Sequence, residues 1–264
     1  MPKIREVSAL LVTCLSCAVA FGQTKSENAE YKKKSDAVLL LVKADPMDWT
    51  VAETQSEVLL RAYPARFESY LCMMALSWQA ELAGKLDLER KVATEIASLN
   101  GPPPSETPDW AGNPVAWAKG VGHRLDLEGH PFELEFTGID GRKVDLASMR
   151  GKVVLIDFWA TWCPPCIASL PGLKANYDKY HTSGLEVAGI SWDQDQVKLT
   201  KFVAEHGIPW PQYFEGPHRK FGESLGIGGI PYTLLIDKQG KLRAATAFPN
   251  NPEFVGLIPK LLLE

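Results

Sequence analysis

Cys163 and Cys166 flank two prolines in the run Trp162-Cys163-Pro164-Pro165-Cys166, and the residues on either side decide what such a pair can do. The apolar stretch Val153-Val154-Leu155-Ile156-Asp157-Phe158 before it reads as a buried strand, and the pattern after it turns helical. A cysteine carried by a strand into the first turn of a helix meets unpaired backbone N–H groups and the positive end of the helix dipole, and both favour thiolate over thiol. The second cysteine is one helical turn further on, within reach of a mixed disulfide formed by the first. Pro164 and Pro165 remove two N–H donors beside the first sulfur, leaving the Cys166 N–H and the dipole to steady the anion. The chemistry these residues point to is thiol–disulfide exchange. A moderately depressed Cys163 pKa and a reducing role are the expectation, although the motif alone does not fix the direction.

Competing uses of such a pair find little support. A zinc site needs a second cysteine pair or a His-x-x-x-His partner, and the chain has neither. Covalent haem attachment needs a histidine directly after the second cysteine, where Ile167 stands. His123, His130, His181, His206 and His218 show no ligand spacing. No metal and no cofactor are therefore expected.

The 264 residues are 45% hydrophobic and 23% charged, an ordinary balance for a soluble globular protein of one large or two small domains. A net charge of −4 without basic blocks argues against a nucleic-acid partner, and Lys32-Lys33-Lys34 reads as a solvated helix face. Lys3 and Arg5 precede an apolar stretch from Ala9 to Phe21, with small residues at Ala18, Ala20 and Gly22. This is the pattern of a secretory signal peptide over residues 1–22, too short to span a bilayer, and it places the mature protein in the periplasm or outside the cell. The alternative is an uncleaved leader that keeps the protein at a membrane. The residues before Cys14 and Cys17 fit a lipoprotein site poorly. Loss of the leader leaves Cys72, Cys163 and Cys166, an odd count that excludes a disulfide scaffold.

Residues 28–99 read as a small all-α domain of amphipathic helices broken at Asp45-Pro46, Tyr63-Pro64 and Gly84, with Pro64 suited to a helix start. The expected buried faces are Val51, Val58, Leu59 and Ala62 in the second helix and Leu88, Val92, Ile96 and Leu99 in the fourth. The third carries Phe67, Tyr70, Leu71, Met74, Ala75 and Trp78, with Cys72 buried among them as a small hydrophobe. Gly101-Pro102-Pro103-Pro104 opens a linker over residues 100–125, in which Trp110 and Trp117 fall in no assignable element. From residue 126 to 264 the period changes. A hairpin turning at Asp140-Gly141 is followed by strand 153–158, helix 165–180, strand 185–190, helix 195–206, strands 232–237 and 242–247, and a helix from 252 to 263. Strands alternating with helices make this half α/β, a mixed sheet covered on both faces.

These residues resemble the thioredoxin superfamily, specifically the extracytoplasmic thiol-disulfide oxidoreductases of the TlpA/ResA type. Leu155-Ile156-Asp157-Phe158-Trp159-Ala160-Thr161-Trp162-Cys163-Pro164-Pro165-Cys166 is similar to that family's active-site signature, and Pro171 falls where its active-site helix carries a kinking proline. Gly228-Gly229-Ile230-Pro231-Tyr232-Thr233 resembles its cis-proline loop, and Gly151-Lys152-Val153-Val154-Leu155 its entry into the first core strand. The resemblance covers about half of the chain and does not reach the helical domain. It implies a thioredoxin-like fold in which Cys163, the more exposed sulfur, attacks and Cys166 resolves. It also implies a buried Asp157 that takes the proton of the resolving thiol, a position that could otherwise be a strand-end carboxylate facing water. Trp162 would cover the sulfurs, with Trp159 equally suited to core packing. Pro231, if cis, would present the Ile230 backbone to an extended peptide; a trans proline opening the strand is the alternative.

The function expected is disulfide exchange with extracytoplasmic protein thiols, apocytochrome cysteines among them, supplied by an upstream membrane or periplasmic reductant. A peroxiredoxin-like peroxidase is disfavoured because Thr161 stands two residues before Cys163, not three. In a third reading the helical domain binds an unknown partner and the dithiol is a redox-responsive clamp without turnover.

Overall fold

A computed structural model of the protein describes residues 25–99, 104, 106–108 and 112–264. The signal peptide read over residues 1–22, Trp110 and much of the proline-rich stretch lie outside them. The chain divides into two compact units, residues 1–115 and 116–264, and each is described by itself.

The first unit holds four helices: α1 (Lys25–Val42), α2 (Trp49–Ala62), α3 (Phe67–Leu82) and α4 (Leu86–Ala97). The three breaks fall at the residues whose backbones demand them. Asp48 caps α2 by accepting the Val51 N–H at 3.1 Å. After α3, Gly84 takes a left-handed φ of +67°, and two reversed hydrogen bonds, Lys85 N–H to Ala80 O and Gly84 N–H to Glu81 O, close a Schellman turn. Pro64 differs from the expectation: it sits in a turn, and α3 starts only at Phe67 behind Arg66.

The buried faces differ too. In α2 they are Ala52, Ser56, Leu59 and Leu60, whereas Val51 and Val58 are 40% and 56% exposed and Ala62 is exposed. In α3 Ser69, Tyr70, Leu71, Cys72, Met73, Leu76, Ser77 and Ala80 are buried, while Met74, Ala75 and Trp78 are half-exposed. The reason is that α3 packs against α1, α2 and α4 and is covered on most of its circumference, so a single-stripe reading picks the wrong edge. In α4, Val92 and Ile96 are buried as expected, with Leu88 and Leu99 half-buried. Cys72 is fully buried; its sulfur lies 3.8 Å from the Ser35 carbonyl, and burial pushes its thiol up to about 12.

The second unit begins inside a helix. Residues read as linker form α5 (Pro114–Leu127), started by Pro114 with the Asn113 side chain accepting the Val115 N–H at 2.9 Å. A hairpin, β1 (Glu135–Thr137) and β2 (Lys143–Asp145), turns at Gly141 with φ +82°. Then come β3 (Val153–Trp159), α6 (Pro164–Tyr180), β4 (Leu185–Ser191), α7 (Gln196–Glu205), β5 (Gln212–Phe214), α8 (Lys220–Ser224), β6 (Tyr232–Ile236), β7 (Leu242–Thr246), α9 (Pro252–Val255) and α10 (Leu257–Leu263). The sheet runs β5-β4-β3-β6-β7, with β3, β4 and β5 parallel and β6 and β7 antiparallel. Every residue of β3 and β6 is buried, which accounts for the unbroken apolar sequence of the central strand. The architecture is the α/β fold expected, a mixed sheet with an all-α region before it. Two short elements, β5 and α8, carry too little periodicity to read, and the last helix is broken near Gly256 because Pro259 cannot donate back to Val255.

Candidate active site

The seven residues of β3 run through the core, and the chain leaves it at Ala160 with Cys163 as the N-cap of α6. Pro164 and Pro165 occupy the first helical positions, where a missing N–H costs nothing. The first donor of the helix able to reach the cap is then Cys166 N–H, which points at Cys163 Sγ from 3.3 Å. The two sulfurs are joined in a disulfide, with their Cα atoms 5.3 Å apart. Cys163 is 4% and Cys166 3% exposed, so burial hardly separates them; what does is position, Cys163 lying among the exposed Trp162, Pro164 and Pro165. Trp162 itself is 53% exposed, a large aromatic surface at the rim rather than a lid sealed over the sulfurs.

The Ile230–Pro231 peptide bond is cis, and the Ile230 carbonyl oxygen lies 3.7 Å from Cys163 Sγ. Pro231 immediately precedes β6, whose antiparallel pairing places Tyr232 opposite Phe158 and Thr233 opposite Asp157. Adjacent strands of one sheet thus carry both halves of the site, the dithiol turn from β3 and the proline loop from β6.

Asp157 is buried at 6% exposure and does not face water. Thr233 Oγ1 donates to its Oδ1 at 3.3 Å, but loss of hydration dominates, and the carboxyl is pushed up from 3.8 to about 7. A carboxyl that gains and loses its proton near neutrality is suited to general acid–base work. In register with it across the sheet stand Gly189 and then Gln212. Gly189 has no side chain because the Gln212 amide fills that space: a Cβ on Gly189 would sit 2.0 Å from Gln212 Oε1. Gln212 Oε1 accepts the Trp159 indole N–H at 2.8 Å, and Trp159 is 3% exposed, so this tryptophan belongs to the core.

The turn into Cys163 is held by Asp193, a residue the sequence analysis did not single out. Its carboxylate accepts the Thr161 hydroxyl at 2.5 Å, the Thr161 N–H at 3.1 Å and the Ser191 hydroxyl at 2.7 Å. Beside it Trp192 donates its indole N–H to the buried Glu215 at 2.8 Å and lies beneath the Arg219 guanidinium. Burial raises the Glu215 pKa against the backbone N–H groups of Phe221 and Gly222 and the Trp192 indole, which lower it. The signal that could have found Asp193 is its place just past the C-terminal end of a parallel strand, where α/β sheets gather functional groups. Among the described residues no group of three or more His, Cys, Asp or Glu side chains is placed to hold a metal ion, and no helix is long and apolar enough to cross a membrane.

A disulfide at the head of a helix, leaving a central strand and faced by a cis-proline loop, defines a thioredoxin-like redox protein. Comparison with known proteins agrees: residues 129–245 match the AhpC/TSA family. The thiol:disulfide interchange protein HelX of Rhodobacter capsulatus is 31% identical over 125 residues, which are 46% of this chain and 67% of the relative. The thiol-disulfide oxidoreductase ResA of Bacillus thuringiensis is 33% identical over 106 residues, 40% of this chain and 61% of that protein, so the match spans about three-fifths of such relatives. A solved structure of a thioredoxin-family thiol:disulfide interchange protein from Chlorobium tepidum shares 26% identity over 50% of this chain and 94% of its own, with a TM-score of 0.45. The chain belongs to the thioredoxin-like AhpC/TSA family, among relatives named thiol-disulfide oxidoreductases.

Proposed function

We propose that the protein reduces disulfides of extracytoplasmic protein partners by thiol–disulfide exchange through Cys163 and Cys166. The observation that carries this reading is the capping geometry, with Cys163 Sγ at the head of α6 accepting the Cys166 N–H. In the reduced protein the same position stabilises a Cys163 thiolate through the helix dipole and that N–H. The thiolate attacks one sulfur of the partner's disulfide, forming a mixed disulfide and releasing the other sulfur as a thiolate. Cys166 loses its proton to Asp157, and its thiolate attacks Cys163 Sγ. The partner leaves as a dithiol, having gained two electrons, and the Cys163–Cys166 disulfide remains. An upstream membrane or periplasmic dithiol returns the two electrons. Ile230 and the exposed Trp162 are the surfaces on which an extended partner segment would lie, paired with the backbone ahead of Pro231.

The partners proposed are periplasmic dithiols and apocytochrome cysteines. The proposed domain plan is a signal peptide over residues 1–22, a helical domain that binds a partner, a linker whose later part is α5, and the redox domain. The test is insulin reduction by the dithiol form: turnover lost in Cys163→Ala supports the reading. A folded protein inert toward glutathione and dithiols would end it, and a strongly oxidising potential, about −120 mV, would reverse its direction. Peroxide consumption as fast as disulfide reduction would make it a peroxidase instead.

A further inference from the structure

Helix α5 lies before the stretch that matches the family, residues 129–245, and none of the steps above uses it. Its contacts all fall on one short segment. Trp117, Gly120, Val121 and Arg124 share one helical face by their spacing, and each meets the chain between Glu223 and Tyr232. The backbones touch directly. A Cβ on Gly120 would sit 2.2 Å from the Glu223 carbonyl oxygen and 2.3 Å from Gly226 N, and a Cβ on Gly226 would sit 2.2 Å from Val121 N. Gly226 also holds φ +65°, a conformation other residues adopt only with strain.

Around that backbone contact three side-chain contacts are set. The buried Arg124 donates from Nε to the Leu225 carbonyl at 3.2 Å, and its guanidinium lies 5.5 Å from the centre of the Tyr232 ring. The Trp117 indole packs under Gly228, where a Cβ would meet Nε1 at 3.0 Å. These contacts bracket Gly228-Gly229-Ile230-Pro231 on both sides. Two consecutive glycines make that stretch intrinsically soft. The position of the Ile230 carbonyl against Cys163 Sγ is therefore set from the flanks, and the flanks rest on α5.

We infer that Trp117, Gly120 and Arg124 are positioning residues that hold the Ile230–Pro231 docking edge in place for protein substrates. The inference rests on the reading of that edge as the substrate surface. It separates two kinds of turnover. Exchange of Cys163 with a small thiol needs no edge, whereas a protein disulfide must lie along it.

The test compares the full-length wild type with Arg124→Ala, Arg124→Lys and Trp117→Phe. For insulin, Arg124→Ala should raise KM about tenfold with kcat little changed, since a displaced positioning group of this kind commonly costs one to two orders of magnitude. Exchange with glutathione should stay within about twofold of wild type. Arg124→Lys, which retains charge and a donor, should recover most of the loss, and Trp117→Phe should give a smaller rise in KM. Amide hydrogen exchange should quicken at 226–230 in Arg124→Ala and not in β3 or α6. Parallel loss of insulin and glutathione turnover, or unchanged KM in both Arg124→Ala and Trp117→Phe, would overturn the inference. A wild type inert toward insulin would remove the proposed function alone, because the exchange measurement reads the hold of α5 on the loop without turnover.

Discussion

At the level of single residues, the site combines a sulfur at a helix head with a carboxyl forced to keep its proton. Asp157 has two measurable consequences. Asp157→Asn removes the proton acceptor, so release of the mixed disulfide should slow about tenfold to a hundredfold near pH 7, within the range general bases supply, while attack by Cys163 is unchanged. Stopped-flow kinetics on a fluorescent disulfide separates the two steps. The same substitution should stabilise the fold at alkaline pH. The folded carboxyl holds its proton to about pH 7 and an unfolded one only to about 3.8, so the native state binds the extra proton between those values. Stability of the wild type therefore falls as pH rises through that window, by up to about 4 kcal/mol. Urea denaturation of both proteins should agree near pH 4 and diverge in favour of Asn by pH 8. The companion test is covalent: Cys166→Ala should leave partner proteins attached to Cys163 through a bond that dithiothreitol cleaves, and Cys163→Ala should leave none.

The residues that do chemistry were legible in the sequence because each is announced by its neighbours. Cys163 and Cys166 follow a strand and open a helix, and Asp157 interrupts an otherwise apolar run. Asp193 and Gln212 were not legible. Their roles depend on which strand lies beside which, and on a register that pairs Asp157 with Gly189 and Gly189 with Gln212. No local pattern encodes that row.

At the level of elements, the β3–α6 junction is rigid because Asp193 holds its first residues and Cys163 caps the helix that follows. Asp193→Asn weakens acceptors for three donors at once, and thermal unfolding should show a loss of about 1–3 kcal/mol, the cost of disturbing a buried charged hydrogen-bond group. Gly189→Ala tests the row across the sheet. Its methyl would displace the Gln212 amide from the Trp159 indole, for a similar loss of about 1–3 kcal/mol by overpacking. If Gly189→Ala is neutral in calorimetry, Gln212 has room to move and the packing argument fails. Elements longer than about six residues were readable from period alone, whereas the face buried on α2 and α3 was not. A helix with neighbours on several sides has no single stripe to display, and α5 was hidden because its pattern of Trp117, Gly120 and Arg124 answers to a loop a hundred residues away.

For the molecule as a whole, the family match opens at residue 129 and the compact redox unit at residue 116, and the difference is α5. Two truncations separate them. A chain of residues 112–264 should fold and reduce insulin at a rate within a few-fold of the full protein, whereas 129–264 should lose most protein turnover and show earlier thermal unfolding. Equal behaviour of the two fragments would show that α5 is dispensable.

Cys72 offers a clock. Its sulfur is sealed inside α3 and stripped of any tendency to ionise, so an alkylating reagent meets it only when the helices around it come apart. With Cys163 and Cys166 tied to each other, the pace at which the Cys72 peptide gains mass reports how often the four-helix unit opens, without any signal from the redox half of the chain.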